Sequence, residues 1–454
     1  IAFLNIIYTY GMETTFFRFA SQSPGKSTYR LILSALLLST LFFSGVLILF
    51  SPYFASALSI PDRNYLIIWL VLIISVDTLL VIPFARLRLE NQARKFALLK
   101  ILNIALNVGL NFFFLMFCRH IYETEGTSGL KTMIEYIYDP NLGIGYVFLS
   151  NLIANGFMIL LLYRSFLDFR FYFSWKAFRP LLIYAYPLIF TGLAAMVNSQ
   201  LANLILEYRL PDGLYEGVSK RGAVGIYGAC ARLAVFMNLV VQAFKYAAEP
   251  FFFAQAKDKE APELFAKVMH YFVLVSVFLW IVISVNLDIL KVLFLGSKEY
   301  HGGIGVVPIL LLANLLLGIY YNLSVWFKLT DRTYFGTYIS LAGALVTIIF
   351  NYTLIPVIGY YGSAITALLA YTAMVGLSYW WGQKYFPIPY RWGKALWHLG
   401  LGAVLIYLHR SIIQESIVWN LLSGIGISGL FLVYVLLTEK KQLLSIFQKA
   451  RPSS

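Results

Sequence analysis

Charge is scarce in this chain. Only 12% of its 454 residues are Asp, Glu, Lys or Arg, about half the share in a soluble domain. At this length so little charge excludes a soluble enzyme and a disordered chain. Cysteine is scarcer still. Cys118 and Cys230 are the only two, one at the end of an apolar run and one inside another, which excludes a disulfide framework. The five histidines, His120, His270, His301, His398 and His409, are scattered without metal-ligand spacing. No metal site is therefore expected, and no cofactor. Residues 20–27 fit a loose phosphate-loop pattern, but a working loop needs a strand before it and a helix after it in an α/β domain. Here the pattern merely joins two apolar runs.

Apolar residues dominate instead. The chain is 60% hydrophobic and 17% aromatic. Thirteen apolar runs follow one another at 1–20, 31–50, 65–85, 97–117, 144–163, 181–206, 223–246, 267–287, 304–325, 334–355, 361–381, 395–409 and 417–437. About 20 apolar residues cross a bilayer as a helix. In lipid the backbone must satisfy its own hydrogen bonds, so such runs are helices; barrel strands would be shorter and would alternate in polarity. The expected fold is an all-α polytopic membrane protein with about thirteen transmembrane helices. The net charge of +14 would suggest nucleic acid in a soluble protein. In a membrane protein it fits cytoplasmic loops facing anionic lipid, and no nucleic acid is expected.

Loop charges orient the spans. Alternate loops, with the tail from Thr438, carry 22 Lys and Arg on one side and 9 on the other. The richer side is cytoplasmic by the positive-inside rule, which places the C-terminus there and Ile1 outside. Ile1 stands in the middle of an apolar run, which a cleaved signal peptide or a missing first helix would explain; the missing helix is expected, because it restores an even count and Ile1 has no cleavage-site context to read. The segment Phe3–Ile7 recurs as Phe236–Val240, and Glu13–Phe17 as Glu249–Phe253 with a short slip. Chance similarity between apolar helices gives the same trace, but duplicated halves in like orientation are a transporter design. The expected domains are a helix bundle at 1–164, a cytoplasmic linker at 165–180, a second bundle at 181–382, and two extra helices with a basic tail at 383–454.

Seven charges fall inside the runs or, for Glu249, just past the end of one: Glu13, Arg18, Asp77, Lys100, Arg232, Lys245 and Glu249. A charge at mid-membrane costs about 2.5–3.5 kcal/mol on insertion scales. Arg18, Lys245 and Glu249 stand near run ends and can snorkel. Glu13, Asp77 and Arg232 lie deeper and are expected to face a bundle interior or a watery cavity. Glu13 has a candidate partner in Arg18, five residues on. Asp77 has no base within a turn of its own helix, so its partner must come from another. Amides form stripes: Asn103, Asn107 and Asn111 follow Lys100 on one face, Asn151 and Asn155 pair at i, i+4, and Asn198 clusters with Ser199, Gln200 and Asn203. They serve either interhelical hydrogen bonds, about 0.6 kcal/mol each, or a hydroxyl-rich ligand. Pro187, Pro250 and Pro308 are expected to interrupt or end helices. The last two runs are rich in small residues, Gly400, Gly402 and Ala403, then Gly424, Gly426 and Gly429, suiting close packing or a lipid-facing groove.

Three stretches carry a resemblance. Tyr8–Ala20 (YTYGMETTFFRFA) is similar to the second helix of bacterial oligosaccharide flippases of the polysaccharide transport family. Gly225–Leu233 (GIYGACARL) resembles the start of their eighth helix, and Gln242–Ala256, with Glu249-Pro250-Phe251-Phe252-Phe253, its end. The Tyr-x-x-x-Ala-Arg-Leu core also resembles lipid II flippases of the wider multidrug/oligosaccharidyl-lipid/polysaccharide (MOP) superfamily. The resemblance implies fourteen or so helices, two six-helix bundles in a V and two C-terminal helices, with the first helix missing here. Relatives often carry an acid and a base after the Met-Val-Asn of the seventh helix; Met196-Val197-Asn198 continues without charge.

The resemblance further implies translocation of an undecaprenyl-diphosphate-linked oligosaccharide across the bacterial inner membrane, by alternating access, for surface polysaccharide biosynthesis. Arg18, Arg232 and Lys245 would hold the diphosphate or acidic sugars, with Asn103, Asn107 and Asn198 meeting hydroxyls. Glu13, Asp77 and Glu249 would be the ion-coupling candidates. The partners would be the lipid-linked oligosaccharide, membrane lipids and polysaccharide assembly proteins. A cation-coupled multidrug exporter of the same superfamily is the alternative; it calls for acids dominating the cavity, whereas bases outnumber acids inside the runs. A polysaccharide polymerase or ligase is a third, but such an enzyme needs a large external catalytic loop, and the longest here, 118–143, is short.

Overall fold

A computed structural model describes residues 2–22, 26–58, 60–123, 129–412 and 416–449. Every element among them is helical, as the apolar runs require. The helices are α1 (Ala2–Thr9), α2 (Met12–Gln22), α3 (Lys26–Leu49), α4 (Asn64–Leu89), α5 (Ala93–Phe112), α6 (Gly145–Leu161), α7 (Trp175–Arg209), α8 (Lys220–Leu233), α9 (Val235–Gln255), α10 (Ala261–Val285), α11 (Val307–Leu323), α12 (Tyr334–Ile358), α13 (Tyr360–Tyr385), α14 (Trp392–Ile412) and α15 (Ile417–Lys449), with short helical pieces between them.

Each of the thirteen apolar runs falls on one of these helices or on a closely joined pair. Among the described residues nine helices are long and apolar enough to cross a membrane, ten if the bent pair α8–α9 counts as one span. The difference from thirteen lies in breaks, one short helix and α14, which has 21 residues but is not apolar enough to count. The run at 1–20 splits at Tyr10-Gly11, and α6 has 17 residues.

The breaks are not where the prolines are. Pro187 and Pro250 lie inside α7 and α9, which continue through them, and Pro308 starts α11 instead of interrupting it. The break at Tyr10-Gly11 has a backbone cause. Both residues have positive φ, 30° and 73°, and Gly11 presses against α7: a Cβ there would lie 2.9 Å from Leu188 Cβ and 3.1 Å from the Ala185 carbonyl oxygen. Glycine alone meets both demands. Gly11→Ala should lower stability by more than about 1 kcal/mol, since alanine is strained at positive φ. Thermal unfolding in detergent reads the difference, and an unchanged midpoint would dismiss the argument. The α8–α9 pair bends by 44° at Ala234.

Residues 1–193 with 249–253 form one compact unit, and 194–248 with 254–454 the other. In the first, α4 packs on α3 and α6, and α5 on α6. The segment 165–180, expected as a linker, is fastened within this unit. Tyr29 donates to the Ser165 carbonyl at 3.0 Å, the Tyr172 amide donates to Ser34 Oγ at 3.0 Å, and Arg86 pairs with Asp168 at 3.0 Å. Cys118 is buried there beside Phe114, Ile134, Tyr138 and Tyr146. Cys230 is buried in the second unit, and both thiols are free.

The second unit is centred on α10 and α11, both largely buried, with Trp280 Nε1 donating to the Pro308 carbonyl at 2.9 Å. Between helices in lipid such burial gains close packing more than dehydration. The small residues of the last two helices act unevenly. Gly402 meets Val277 and Trp280 of α10, and Gly424 meets Val285 and Asn286 at its end, whereas Gly400, Gly426 and Gly429 face open space. The last two helices thus pack against α10 at two glycines, and both belong to the second unit.

Candidate functional site

The polar residues carried on the apolar helices of the first unit converge. Asp77 and Arg88 sit eleven residues apart on α4, close to three full turns, and so share a face. Asn155 of α6 is the hub beside Asp77. Its Nδ2 donates to Asp77 Oδ1 at 2.8 Å and to Asn151 Oδ1 at 2.9 Å, and its Oδ1 accepts from Asn103 Nδ2 at 2.9 Å. Both of its amide protons and its carbonyl are thereby used, which fixes the side chain in one orientation. Lys100, one turn before Asn103 on α5, interacts electrostatically with both Asp77 and Glu13 and lies over the Phe84 ring at 4.3 Å. The partner expected for Asp77 on another helix is thus an amide, with a lysine nearby.

Glu13 does not take its partner from its own helix. It is ion-paired with Arg88 of α4, where the sequence suggested Arg18. Arg88 is buried between aromatic faces, its guanidinium 4.9 Å from the Phe17 centroid and 5.1 Å from that of Phe96, where cation–π attraction adds to the ion pair. In the sequence Arg88 reads as a residue of the loop 86–96, but α4 runs to Leu89 and carries it inside. The spacing from Asp77 was the available signal. Glu249, at the end of α9, is buried and accepts from Thr14 Oγ1 at 2.7 Å. The two copies of the Glu-containing repeat are therefore neighbours in one unit.

The remaining candidates are more dispersed. Asn107 accepts from Asn111 Nδ2 within α5 at 2.6 Å, so the amide stripe divides: Lys100 and Asn103 turn to α4 and α6, while Asn107 and Asn111 bind each other. Arg18 is half-buried on α2. In the second unit, Arg232 is exposed in the last turn of α8, just before the bend, and Lys245 on α9 lies 5.0 Å from the Tyr321 ring centroid. The side chain of Asn198, with those of Ser199, Gln200 and Asn203, lies outside the described residues.

One grouping was invisible in the spacing. His270, His398 and Glu439, buried on α10, α14 and α15, hold their donor atoms within 4.8 Å of one another. Ligand spacing along a chain reports local sites, whereas these residues meet only because α10 packs against both α14 and α15.

Long apolar helices that carry a charged and amide-rich cluster define a polytopic membrane protein. The chain belongs to the polysaccharide biosynthesis protein family, whose model matches residues 1–255. No curated protein matches its sequence. Among solved structures it is similar to the lipid II flippase MurJ in an inward closed conformation, at 16% identity and a TM-score of 0.56, covering 97% of this chain and 91% of that one. It is also similar to a mutant of the Vibrio cholerae MATE transporter VcmN, at 16% identity and a TM-score of 0.64, covering 84% and 86%. A multidrug resistance MATE transporter of the MOP superfamily, outward-facing, matches at 13% identity and a TM-score of 0.62, covering 84% of each chain. The chain therefore shares the fold of these structures.

Proposed function

We propose that this protein is a flippase for an undecaprenyl-diphosphate-linked oligosaccharide, working by alternating access in the bacterial inner membrane with its C-terminus in the cytoplasm. Family membership supports a role in surface polysaccharide assembly. The observation that carries the choice of cargo is the pairing of the acids. An exporter of organic cations needs a carboxylate to offer its cargo. Here Glu13 is taken by Arg88, Glu249 by Thr14, and Asp77 by Asn155 with Lys100 nearby. In this reading the bases Arg18, Arg232 and Lys245 hold the diphosphate or acidic sugars, and Asn103, Asn107 and Asn198 meet hydroxyls. Glu13, Asp77 and Glu249 are the coupling groups.

The test is a flipping assay in proteoliposomes with a fluorescent undecaprenyl-diphosphate oligosaccharide, run beside ethidium efflux. Protein-dependent flipping of the glycolipid without ethidium transport is expected; the reverse would establish the exporter. Arg232 should act through its charge. A diphosphate needs cationic donors, and lysine supplies the charge without the planar fork of arginine. Arg232→Ala is expected to retain under about a tenth of the wild-type rate, one such step being about 1.4 kcal/mol of barrier, and Arg232→Lys an intermediate rate. A wild-type rate for Arg232→Ala at equal reconstitution would remove this residue from the substrate path.

A further inference from the structure

His270, His398 and Glu439 of the second unit take no part in the reading above. Their exposures are 4%, 2% and 1%. His270 Nε2 lies 3.2 Å from Glu439 Oε1, yet off the line an N–H would need to donate along. Among the described residues both ring nitrogens of His270 and both of His398 lack a hydrogen-bond partner. Four buried nitrogens in that state are rare, because a desolvated polar atom without a partner is costly. The two ring centroids are 5.8 Å apart, and one ligand atom from each histidine and one from the carboxylate lie within 4.8 Å of one another.

We propose that His270, His398 and Glu439 bind one transition-metal dication of the zinc class. Two neutral imidazoles and a carboxylate suit such an ion, whereas calcium and magnesium demand oxygen donors. Tetrahedral ligands at about 2.0–2.1 Å from the ion stand about 3.3 Å from one another. The 3.2 Å between His270 and Glu439 already has that span. His398, within 4.8 Å, closes by a side-chain rotation. The fourth position falls to water. A cavity of about 10 Å³ beside His270, lined also by Tyr390, Arg391 and Trp392, is close to the smallest that holds one.

Lys394 is the competitor. Its Nζ lies 2.9 Å from Glu439 Oε1; with 45% of its side chain exposed, it can swing out when an ion arrives. Arg391 and Lys394 place positive charge near the site and lower its affinity. Protons compete too, because each histidine must be neutral to ligate. An ion held this way would clamp α14 and α15 onto α10.

The test uses the full chain purified in detergent without a polyhistidine tag, stripped by a chelator and titrated with Co²⁺ alone. We expect one Co²⁺ per chain with the intense visible bands of a tetrahedral N/O site, displaced by Zn²⁺. His398→Ala should weaken binding at least tenfold, and His398→Asn serves where alanine impairs folding. Lys394→Met should tighten it about tenfold, because the competing ammonium is gone. A plain buried ion-pair network predicts no cobalt signal in either protein. Absence of saturable binding in both wild type and Lys394→Met would overturn the proposal. So would one-to-one binding that survives both His398 substitutions unchanged.

Discussion

Replacing Arg88 by methionine should destabilise the protein by about 2–3 kcal/mol, and the loss should largely disappear when Glu13 is changed to glutamine as well. Breaking a buried ion pair by removing one partner ordinarily costs about 3–5 kcal/mol, because the other charge is left without compensation. The value here is set lower because the Glu13 side chain keeps 36% exposure, against 5% for Arg88, so solvent screens part of the loss. Methionine retains the volume between Phe17 and Phe96 and isolates the charge effect. Glu13→Gln alone should also cost, since it strands the more deeply buried member. The measurement is a double-mutant cycle on unfolding in detergent. Additive single losses would mean that the pair contributes nothing and that Arg88 matters through its other contacts.

The helices were legible in the sequence because their signal is compositional. A run of about 20 apolar residues in lipid has one structural outcome, and all thirteen runs lie on helices. Their interruptions were less legible. Proline was the expected breaker, yet α7 and α9 run through Pro187 and Pro250, while the first run breaks at Tyr10-Gly11. A proline removes one hydrogen bond, which a neighbouring helix can replace in a bundle; the approach of Leu188 to Gly11 is a tertiary fact. Partners followed the same division. That Asp77 needed a group from another helix could be read from its own helix, but that the group is Asn155 could not. Arg88 was hidden by the edge of α4, because run boundaries are the least certain part of a hydropathy reading. The His270–His398–Glu439 group was hidden because its three members come from three helices and share no spacing along the chain.

Asp77→Asn should abolish any dependence of flipping on an imposed proton gradient, with little loss of folded protein. The substitution is nearly isosteric. An asparagine at this position keeps an Oδ1 to accept from Asn155 Nδ2, the bond of 2.8 Å that ties α4 to α6, so packing is preserved. It loses the exchangeable proton and the negative charge that faces Lys100. Glu13 is the weaker candidate, since it is ion-paired with Arg88 and its removal disturbs folding as well as charge. Lys100→Met is the control. It removes the neighbouring cation but leaves the carboxyl, so gradient dependence should persist in it. Proteoliposomes are loaded with the fluorescent glycolipid and given a proton gradient, a sodium gradient or none. The wild-type rate is expected to respond to the proton gradient, that of Lys100→Met to respond as well, and that of Asp77→Asn to stay at the ungradiented level. If neither gradient changes the wild-type rate and Asp77→Asn transports as wild type does, coupling is absent. Asp77 then serves only to hold Asn155 and join α4 to α6.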